Sequence, residues 1–235
     1  MKTRGVAGTL GRMLRQPFIN WEDRSYDRVH GVNTRGMIQL SQLTIASANV
    51  QHGIMYHPTK PYNFREILQH APAELSKYTF IDFGSGKGRT ILLAGEYAFR
   101  RIIGIEFSRE LVGDATRNLR NYRGGPHRCP SVELLCLDAA DFEFPHEHSF
   151  LYFYYPFTLQ VLEPVLSNLA RSLTAAPRSV YVAYYTNEPW DRAIESAGLF
   201  EPIWRGARCA LVRVREAPGE GRDEIGVRRD HSRLI

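Results

Sequence analysis

The feature that most constrains the fold is a glycine-rich turn between two apolar segments, within residues 78–106. A short β-branched and aromatic run leads directly into Gly84, Gly86 and Gly88. An apolar helical pattern follows, and then a second apolar strand pattern with Glu106 at its end. Strand, glycine turn, helix and strand in this order predict a βαβ unit of the nucleotide-binding type.

The spacing of the glycines separates the known classes of nucleotide-binding loop. A dinucleotide fingerprint G-x-G-x-x-G begun at Gly84 needs a glycine where Arg89 stands, and begun at Gly86 it needs one where Ile91 stands. A phosphate-binding loop needs Ser or Thr after its G-K pair, and here a glycine follows. What remains is an acidic-x-Gly-x-Gly-x-Gly pattern that begins at Asp82.

This pattern resembles motif I of the class I S-adenosylmethionine (SAM) dependent methyltransferases, and the resemblance covers residues 56–215. It implies an α/β fold with a doubly wound, mostly parallel seven-stranded sheet and a C-terminal antiparallel hairpin, preceded by an N-terminal helical cap. The chain looks most similar to uncharacterised bacterial members with a Y-x-P-T connector and a G-K-G-R loop. It is more distantly similar to the non-SET histone-lysine methyltransferases.

The chain divides into four predicted parts. Residues 1–20 carry four basic residues and no acid, which favours a flexible basic arm. Residues 21–72 are expected to form a helical cap or lid, with one helix beginning after Thr34, and residues 73–215 form the SAM-binding core. Residues 216–235, rich in glycine and charge, are expected to be a disordered tail. Within the core, further strands are predicted at 132–137, 150–155, 179–185 and 202–216.

Three acidic residues follow predicted parallel strands, where open α/β sheets bind their ligands. The resemblance implies that Asp82 holds the methionine ammonium of SAM and that Glu106 holds the ribose hydroxyls. It implies that Asp138 binds the adenine amino group, although a helix cap is the alternative interpretation of this residue. The complete predicted cofactor-binding set is Tyr56, Thr59, Asp82, Gly84, Ser85, Gly86, Gly88, Glu106, Phe107, Asp138, Ala139 and Tyr155.

The candidate catalytic residue is Tyr155. The sequence Tyr155-Pro156-Phe157 stands where related enzymes carry an Asn- or Asp-Pro-aromatic motif that grips a nucleophilic nitrogen. A phenol in place of a carboxamide weighs against amino-nitrogen methylation, but it can position another nucleophile or stack on the cofactor. A core aromatic at a strand end is the alternative.

The predicted function is methyl transfer from SAM to an unidentified acceptor, a protein side chain or a small molecule. A catalytically silent SAM-binding regulatory module is the alternative, suggested by the replaced first residue of the Pro156 motif. An NAD(P)-linked oxidoreductase is disfavoured by the glycine spacing. The pair His146-x-His148 lacks further ligands at useful spacing, so no metal is predicted.

Composition excludes some partners. The net charge is +5, and most of it lies in residues 1–20, so the nearly neutral core does not indicate nucleic-acid binding. The sequence contains no run of eighteen apolar residues, so no membrane span is predicted. Three cysteines without a C-x-x-C pair and a start without a secretory apolar segment predict a cytoplasmic protein with free thiols.

Overall fold

The computed structural model describes residues 6–215, with side chains from residue 16 onward. Six α-helices lie in this range: α1 Val6–His30, α2 Pro61–Leu68, α3 Arg89–Gly95, α4 Arg109–Asn121, α5 Leu159–Ala175 and α6 Glu188–Ser196. The seven strands are β1 Thr79–Phe83, β2 Arg101–Glu106, β3 Val132–Cys136, β4 Ser149–Phe153, β5 Val180–Tyr185, β6 Phe200–Arg205 and β7 Cys209–Val214. No helix in the described part of the chain is long and apolar enough to cross a bilayer.

The strands form one sheet in the order β3-β2-β1-β4-β5-β7-β6. Strands β1 to β5 pair in parallel, and β7 pairs antiparallel with both β5 and β6. The predicted α/β fold, with its mostly parallel seven-stranded sheet and C-terminal hairpin, is confirmed. The strand order reverses between β1 and β4, and such a reversal opens a crevice at the carboxyl ends of the strands.

The sheet is covered on both faces, which explains its continuous apolar strands. All five residues of β1 are buried, as expected for a parallel strand between two layers of helices. One apolar cluster joins Phe83 and Leu151 to α5 and α6, and the other joins Phe80 to α2 and α3. The two clusters hold the strand ends in fixed positions around the crevice.

Two of the predicted helix starts use side-chain caps. The Ser108 hydroxyl accepts a hydrogen bond from the Leu111 N–H at 3.3 Å, and the Asn187 side chain accepts one from the Trp190 N–H at 3.1 Å. Thr158 precedes α5 as predicted, but its side chain makes no capping hydrogen bond.

The N-terminal region differs from its prediction. Helix α1 runs through the predicted boundary at residue 20, so residues 6–20 belong to a helix and not to a separate arm. The helix is anchored by tertiary contacts that the local sequence does not reveal: Ile19 and Tyr26 are buried, and Glu22 pairs with Arg65 on α2. The predicted tail, residues 216–235, lies outside the described residues.

The helix predicted after Thr34 does not form. Only two short 3-10 turns, Leu40–Gln42 and Val50–His52, interrupt an irregular segment over residues 34–60. We call this segment the strap. Its polar groups bond to other elements; for example, the Thr44 N–H donates to Glu110 on α4 at 2.8 Å. These long-range bonds replace the hydrogen bonds that a helix would make within itself.

Candidate functional site

A cavity of about 420 Å³ lies at the carboxyl ends of the parallel strands. Ten of the twelve residues predicted to bind the cofactor line it: Tyr56, Thr59, Asp82, Gly84, Ser85, Glu106, Phe107, Asp138, Ala139 and Tyr155. Gly86 and Gly88 are not among the lining residues. Most residues of the predicted set therefore line one cavity. Its three acidic residues differ in the hydrogen bonds that they accept from the protein.

Asp82 presents an unsatisfied acceptor. Its side chain is 2% exposed, and its Oδ2 atom has no hydrogen-bond partner among the described residues. Burial, and then the nearby charge of Glu106, raise the pKa of Asp82 well above its usual range. A buried carboxyl oxygen without a partner is costly, and a cationic or hydrogen-bond-donating ligand in the cavity would satisfy it.

Glu106 ends β2 and holds the glycine turn. Its Oε2 atom accepts a hydrogen bond from the Gly86 N–H and its Oε1 atom one from the Ser108 N–H, each at 2.9 Å. Burial raises the pKa of Glu106 to about 7, although these backbone hydrogen bonds act in the opposite direction. Each carboxylate oxygen has two lone pairs, so Glu106 keeps acceptor capacity for a ligand's hydroxyl groups.

The three glycines are needed for contacts within the protein. All three have positive φ, at 74°, 52° and 82° for Gly84, Gly86 and Gly88. A Cβ atom at Gly84 would overlap Pro156, and one at Gly86 would overlap the Tyr56 ring. Gly88 precedes α3 and would place a Cβ 3.0 Å from that of Ala115. Gly86 and Gly88 thus shape the turn and its packing, whereas the sequence prediction had them contact the cofactor.

Asp138 is tied to the strap. Its Oδ1 atom accepts a hydrogen bond from the Ala140 N–H at 2.9 Å, which is the capping role weighed as an alternative. Its Oδ2 atom accepts hydrogen bonds from the Ser47 hydroxyl and from Asn49 Nδ2, the latter at 3.0 Å. In this structure, therefore, both Asp138 oxygens already bond to protein groups.

The strap forms one wall of the cavity. Leu40, Asn49 and residues 53–60 line it. Two backbone hydrogen bonds hold the strap to the Pro156 turn: the Ile54 N–H donates to the Pro156 oxygen at 2.9 Å, and the Thr158 N–H donates to the His52 oxygen at 2.8 Å. Sequence reasoning named only Tyr56 and Thr59 from this wall.

Tyr56 and Thr59 occupy defined positions in the strap. The Tyr56 hydroxyl donates to the Thr34 carbonyl at 2.6 Å, and burial raises the pKa of Tyr56, so the phenol stays neutral. The Thr59 hydroxyl accepts hydrogen bonds from Thr90 at 3.1 Å and from Tyr152 at 3.3 Å. Both residues therefore shape the wall through bonds to other protein groups.

Tyr155 has an unusual backbone. Its φ is 53°, and no other non-glycine residue in the range 6–215 has a positive φ. The left-handed conformation is unfavourable for a bulky residue and is typical of functional sites when the surroundings hold it. Here Pro156 packs on Gly84, and the Tyr155 ring lies edge-on to Trp190 at 6.1 Å.

The sequence predicted no role in the site for Arg89, but the structure gives this residue a central position. Its side chain is 1% exposed and lines the cavity at the start of α3. The guanidinium donates to Asp23 at 2.7 Å and Asp27 at 3.1 Å on α1, and to the Thr34 hydroxyl at 2.6 Å. Helix α1 and the strap are thereby fixed to the glycine turn.

The far end of the cavity was also missed. We call it the basic aromatic end; its members lie in the strap, after β4, at the end of β5 and before β7, and they are His57, Lys60, Tyr154, Tyr185 and Arg208. No single motif marks these residues, because the fold brings them together from distant parts of the chain. Among the described residues, no group of three His, Cys, Asp or Glu side chains could hold a metal ion.

No protein-family model matches the chain, and no curated protein matches it. Solved structures are similar to it. A proposed methylase from Haemophilus influenzae is 13% identical with a TM-score of 0.49, and the alignment covers 77% of this chain and 100% of that one. The magnesium protoporphyrin IX methyltransferase of Synechocystis, solved with bound SAM, is 17% identical with a TM-score of 0.45, covering 66% and 79%. The N-methyltransferase NodS of Bradyrhizobium japonicum is 12% identical with a TM-score of 0.45, covering 66% and 94%. The likeness concerns the fold.

Proposed function

We propose that the protein is a SAM-dependent methyltransferase that acts on an acceptor still to be identified. The observation that carries the proposal is the unpartnered Oδ2 atom of buried Asp82, which shares a cavity with Glu106 beside the glycine turn. An acidic-x-Gly-x-Gly-x-Gly turn excludes the dinucleotide and phosphate-binding patterns. No disulfide joins the three cysteines, which fits the proposed cytoplasmic location.

The residues present fit this cofactor. Asp82 offers a carboxyl oxygen to the methionine ammonium, and Glu106 offers acceptor capacity to the ribose hydroxyls. Asp138 has less capacity for the adenine amino group, because Oδ2 already accepts hydrogen bonds from Ser47 and Asn49 and only Oδ1 keeps a free lone pair. We therefore assign Asp82 and Glu106 the main binding roles.

When bound, SAM supplies a methyl group already activated on a sulfonium. Transfer would break the methyl carbon–sulfur bond, leave its electron pair on sulfur and form the new bond with a lone pair of the acceptor atom. The task of the chain is to align the acceptor and to keep water out. The strap and Pro156 close the cavity, and Tyr155 is the proposed positioning group for the acceptor.

Transfer of label tests the function. The protein is incubated with SAM radiolabelled at its methyl group and with fractionated cell lysate, alongside an Asp82→Ala variant. We expect label to enter small molecules or protein with the wild type and not with the variant. Tight SAM binding with no transfer to any fraction would contradict the enzymatic function and favour a silent SAM-binding module.

SAM affinity is expected to rise as pH rises through about 7. In the free protein burial raises the pKa of Glu106 from 4.5 to about 7, so below that value the side chain is neutral and is a poorer acceptor. By linkage, the same shift makes the free protein less stable as pH rises from about 4.5 to about 7, because the folded state holds the extra proton in this range. Equilibrium dialysis of SAM at pH 6 and pH 8 measures the effect.

The control for this pH dependence is Glu106→Gln. It removes the titrating group, together with the charge that contributes to the raised pKa of Asp82, while the ligand titrates as before. We expect the ratio of wild-type to variant affinity to be larger at pH 8 than at pH 6. An equal ratio at the two values would show that Glu106 does not bind the ligand as a carboxylate.

A further inference from the structure

The order of the strands divides the cavity into two chemically different ends. Along the sheet edge, the acidic residues lie at or next to the carboxyl ends of β3, β2 and β1, and the basic aromatic end lies at the carboxyl ends of β4 and β5 and just before β7. The proposed cofactor takes the acidic end. The basic aromatic end therefore remains for the methyl acceptor, and its chemistry indicates the class of acceptor.

Four residues of this end form a continuous wall. The His57 ring stacks on Tyr154 with the centroids 6.3 Å apart. Tyr154 meets Tyr185 edge to face at 5.2 Å, and the Tyr185 hydroxyl accepts a hydrogen bond from Arg208 Nη1 at 3.1 Å. The Thr186 N–H donates to the Arg208 carbonyl at 2.7 Å, which fixes the backbone that carries the guanidinium. Burial raises the pKa of Tyr154, so its ring stays a neutral phenol.

The charge of this end is positive. Lys60 and Arg208 line the cavity, and neither forms an ion pair with a carboxylate among the described residues. The cavity's acids are Asp82, Glu106 and Asp138, which stand at the other end. Arg89 also lines the cavity, but Asp23 and Asp27 neutralise it. An anionic ligand would therefore be attracted by cations that have no carboxylate partner, whereas a lysine side chain would be repelled by charges of the same sign.

We propose that the acceptor is a small aromatic acid, an inference that rests on the proposed methyltransferase function. Its ring would pack against the faces and edges of Tyr154 and Tyr185, since planar rings pack favourably in this geometry. Its anionic group would bond to the guanidinium of Arg208, which suits a planar carboxylate. This class of acceptor differs from the lysine side chain to which the distant likeness with histone-lysine methyltransferases points.

Calorimetric titration with three probes of similar size tests the proposal: 4-hydroxybenzoate, its neutral amide 4-hydroxybenzamide, and the cationic amine tyramine. The protein is first saturated with S-adenosylhomocysteine, the demethylated form of the cofactor. We expect the acid to bind about tenfold more tightly than the amide, which corresponds to one charge-assisted hydrogen-bonded contact. Tyramine is expected to bind more weakly than either.

An Arg208→Gln variant is expected to lose the preference for the acid over the amide and to bind S-adenosylhomocysteine normally. The matched control is Arg192→Gln on α6, an exposed arginine that pairs with Glu188 and does not line the cavity. Equal binding of acid and amide by the wild type, tightest binding of tyramine, or no binding of any probe to the S-adenosylhomocysteine complex would overturn the acceptor class and leave the methyltransferase function intact. Failure of S-adenosylhomocysteine itself to bind would overturn both.

Discussion

A Glu106→Ala variant is expected to bind SAM about 100-fold more weakly than the wild type. The substitution removes the carboxylate that would accept hydrogen bonds from the ribose, and a hydrogen bond to a charged group contributes about 1.5–3 kcal/mol. It also leaves the N–H groups of Gly86 and Ser108 without their present partner, so the glycine turn loses its anchor to β2. Equilibrium dialysis with radiolabelled SAM measures the affinity.

Two further variants make this result interpretable. Glu133→Ala removes an exposed glutamate from the neighbouring strand β3, outside the cavity, and should leave SAM affinity unchanged. Glu106→Gln keeps the shape of the side chain and one carbonyl acceptor, so it reports on binding if the alanine variant fails to fold. Wild-type affinity in both Glu106 variants would exclude this residue from the cofactor site.

An Arg89→Met variant is expected to lower the free energy of unfolding by about 3 kcal/mol, as is typical when one partner of a buried ion pair is removed. Methionine keeps much of the side-chain length but leaves Asp23 and Asp27 without their cation, and the Thr34 hydroxyl without its donor. The guanidinium also lies over the Tyr26 ring at 4.9 Å, so the packing of α1 is lost together with the charge. Urea denaturation followed by circular dichroism measures the loss.

The control is Arg117→Met on α4, where an exposed arginine pairs with Asp114 one turn away. Exposed pairs of this kind contribute little, about 0–1 kcal/mol. Equal losses in the two variants would show that Arg89 does not anchor α1 and the strap. A large loss confined to Arg89→Met would support the view that the N-terminal helix is an integral part of the site.

The sheet could be predicted from sequence because its signals are local. Each parallel strand is a short apolar run, and Ser108 and Asn187 mark helix starts by their side-chain chemistry. The strand ends then bring Asp82 and Glu106 to one cavity by the geometry of a parallel sheet alone. The carboxyl ends of parallel strands lie at the same edge of the sheet, so a residue's position at the end of a strand is enough to place it at that edge.

The strap and α1 could not be predicted in the same way. Helical spacing after Thr34 indicated a helix, but the polar groups of this segment bond to residues far away in sequence, such as Glu110 and Asp138. Helix α1 contains Pro17 and two glycines, and its anchoring depends on Arg89, which is more than sixty residues from Asp27. Such long-range bonds override local propensity and leave no periodic signal.

The glycines of the turn have a structural role that the motif alone does not reveal. We predicted that the three glycines contact the cofactor, whereas in the structure Pro156, Tyr56 and Ala115 pack where side chains at these positions would lie. The basic aromatic end was missed because Tyr154 and Arg208 are more than fifty residues apart and meet only through the β5–β7 pairing. Tyr154 stands next to the predicted catalytic Tyr155, but Arg208 has no sequence neighbour that marks it as functional.

We propose that the cavity beside Asp82 and Glu106 binds an adenosyl sulfonium and not a dinucleotide. Calorimetric titration of the wild-type protein with SAM and, separately, with NAD⁺ tests it most directly. We expect one molecule of SAM bound per chain, no binding of SAM to Asp82→Ala, and no heat with NAD⁺. Saturable heat with NAD⁺ and none with SAM would contradict it.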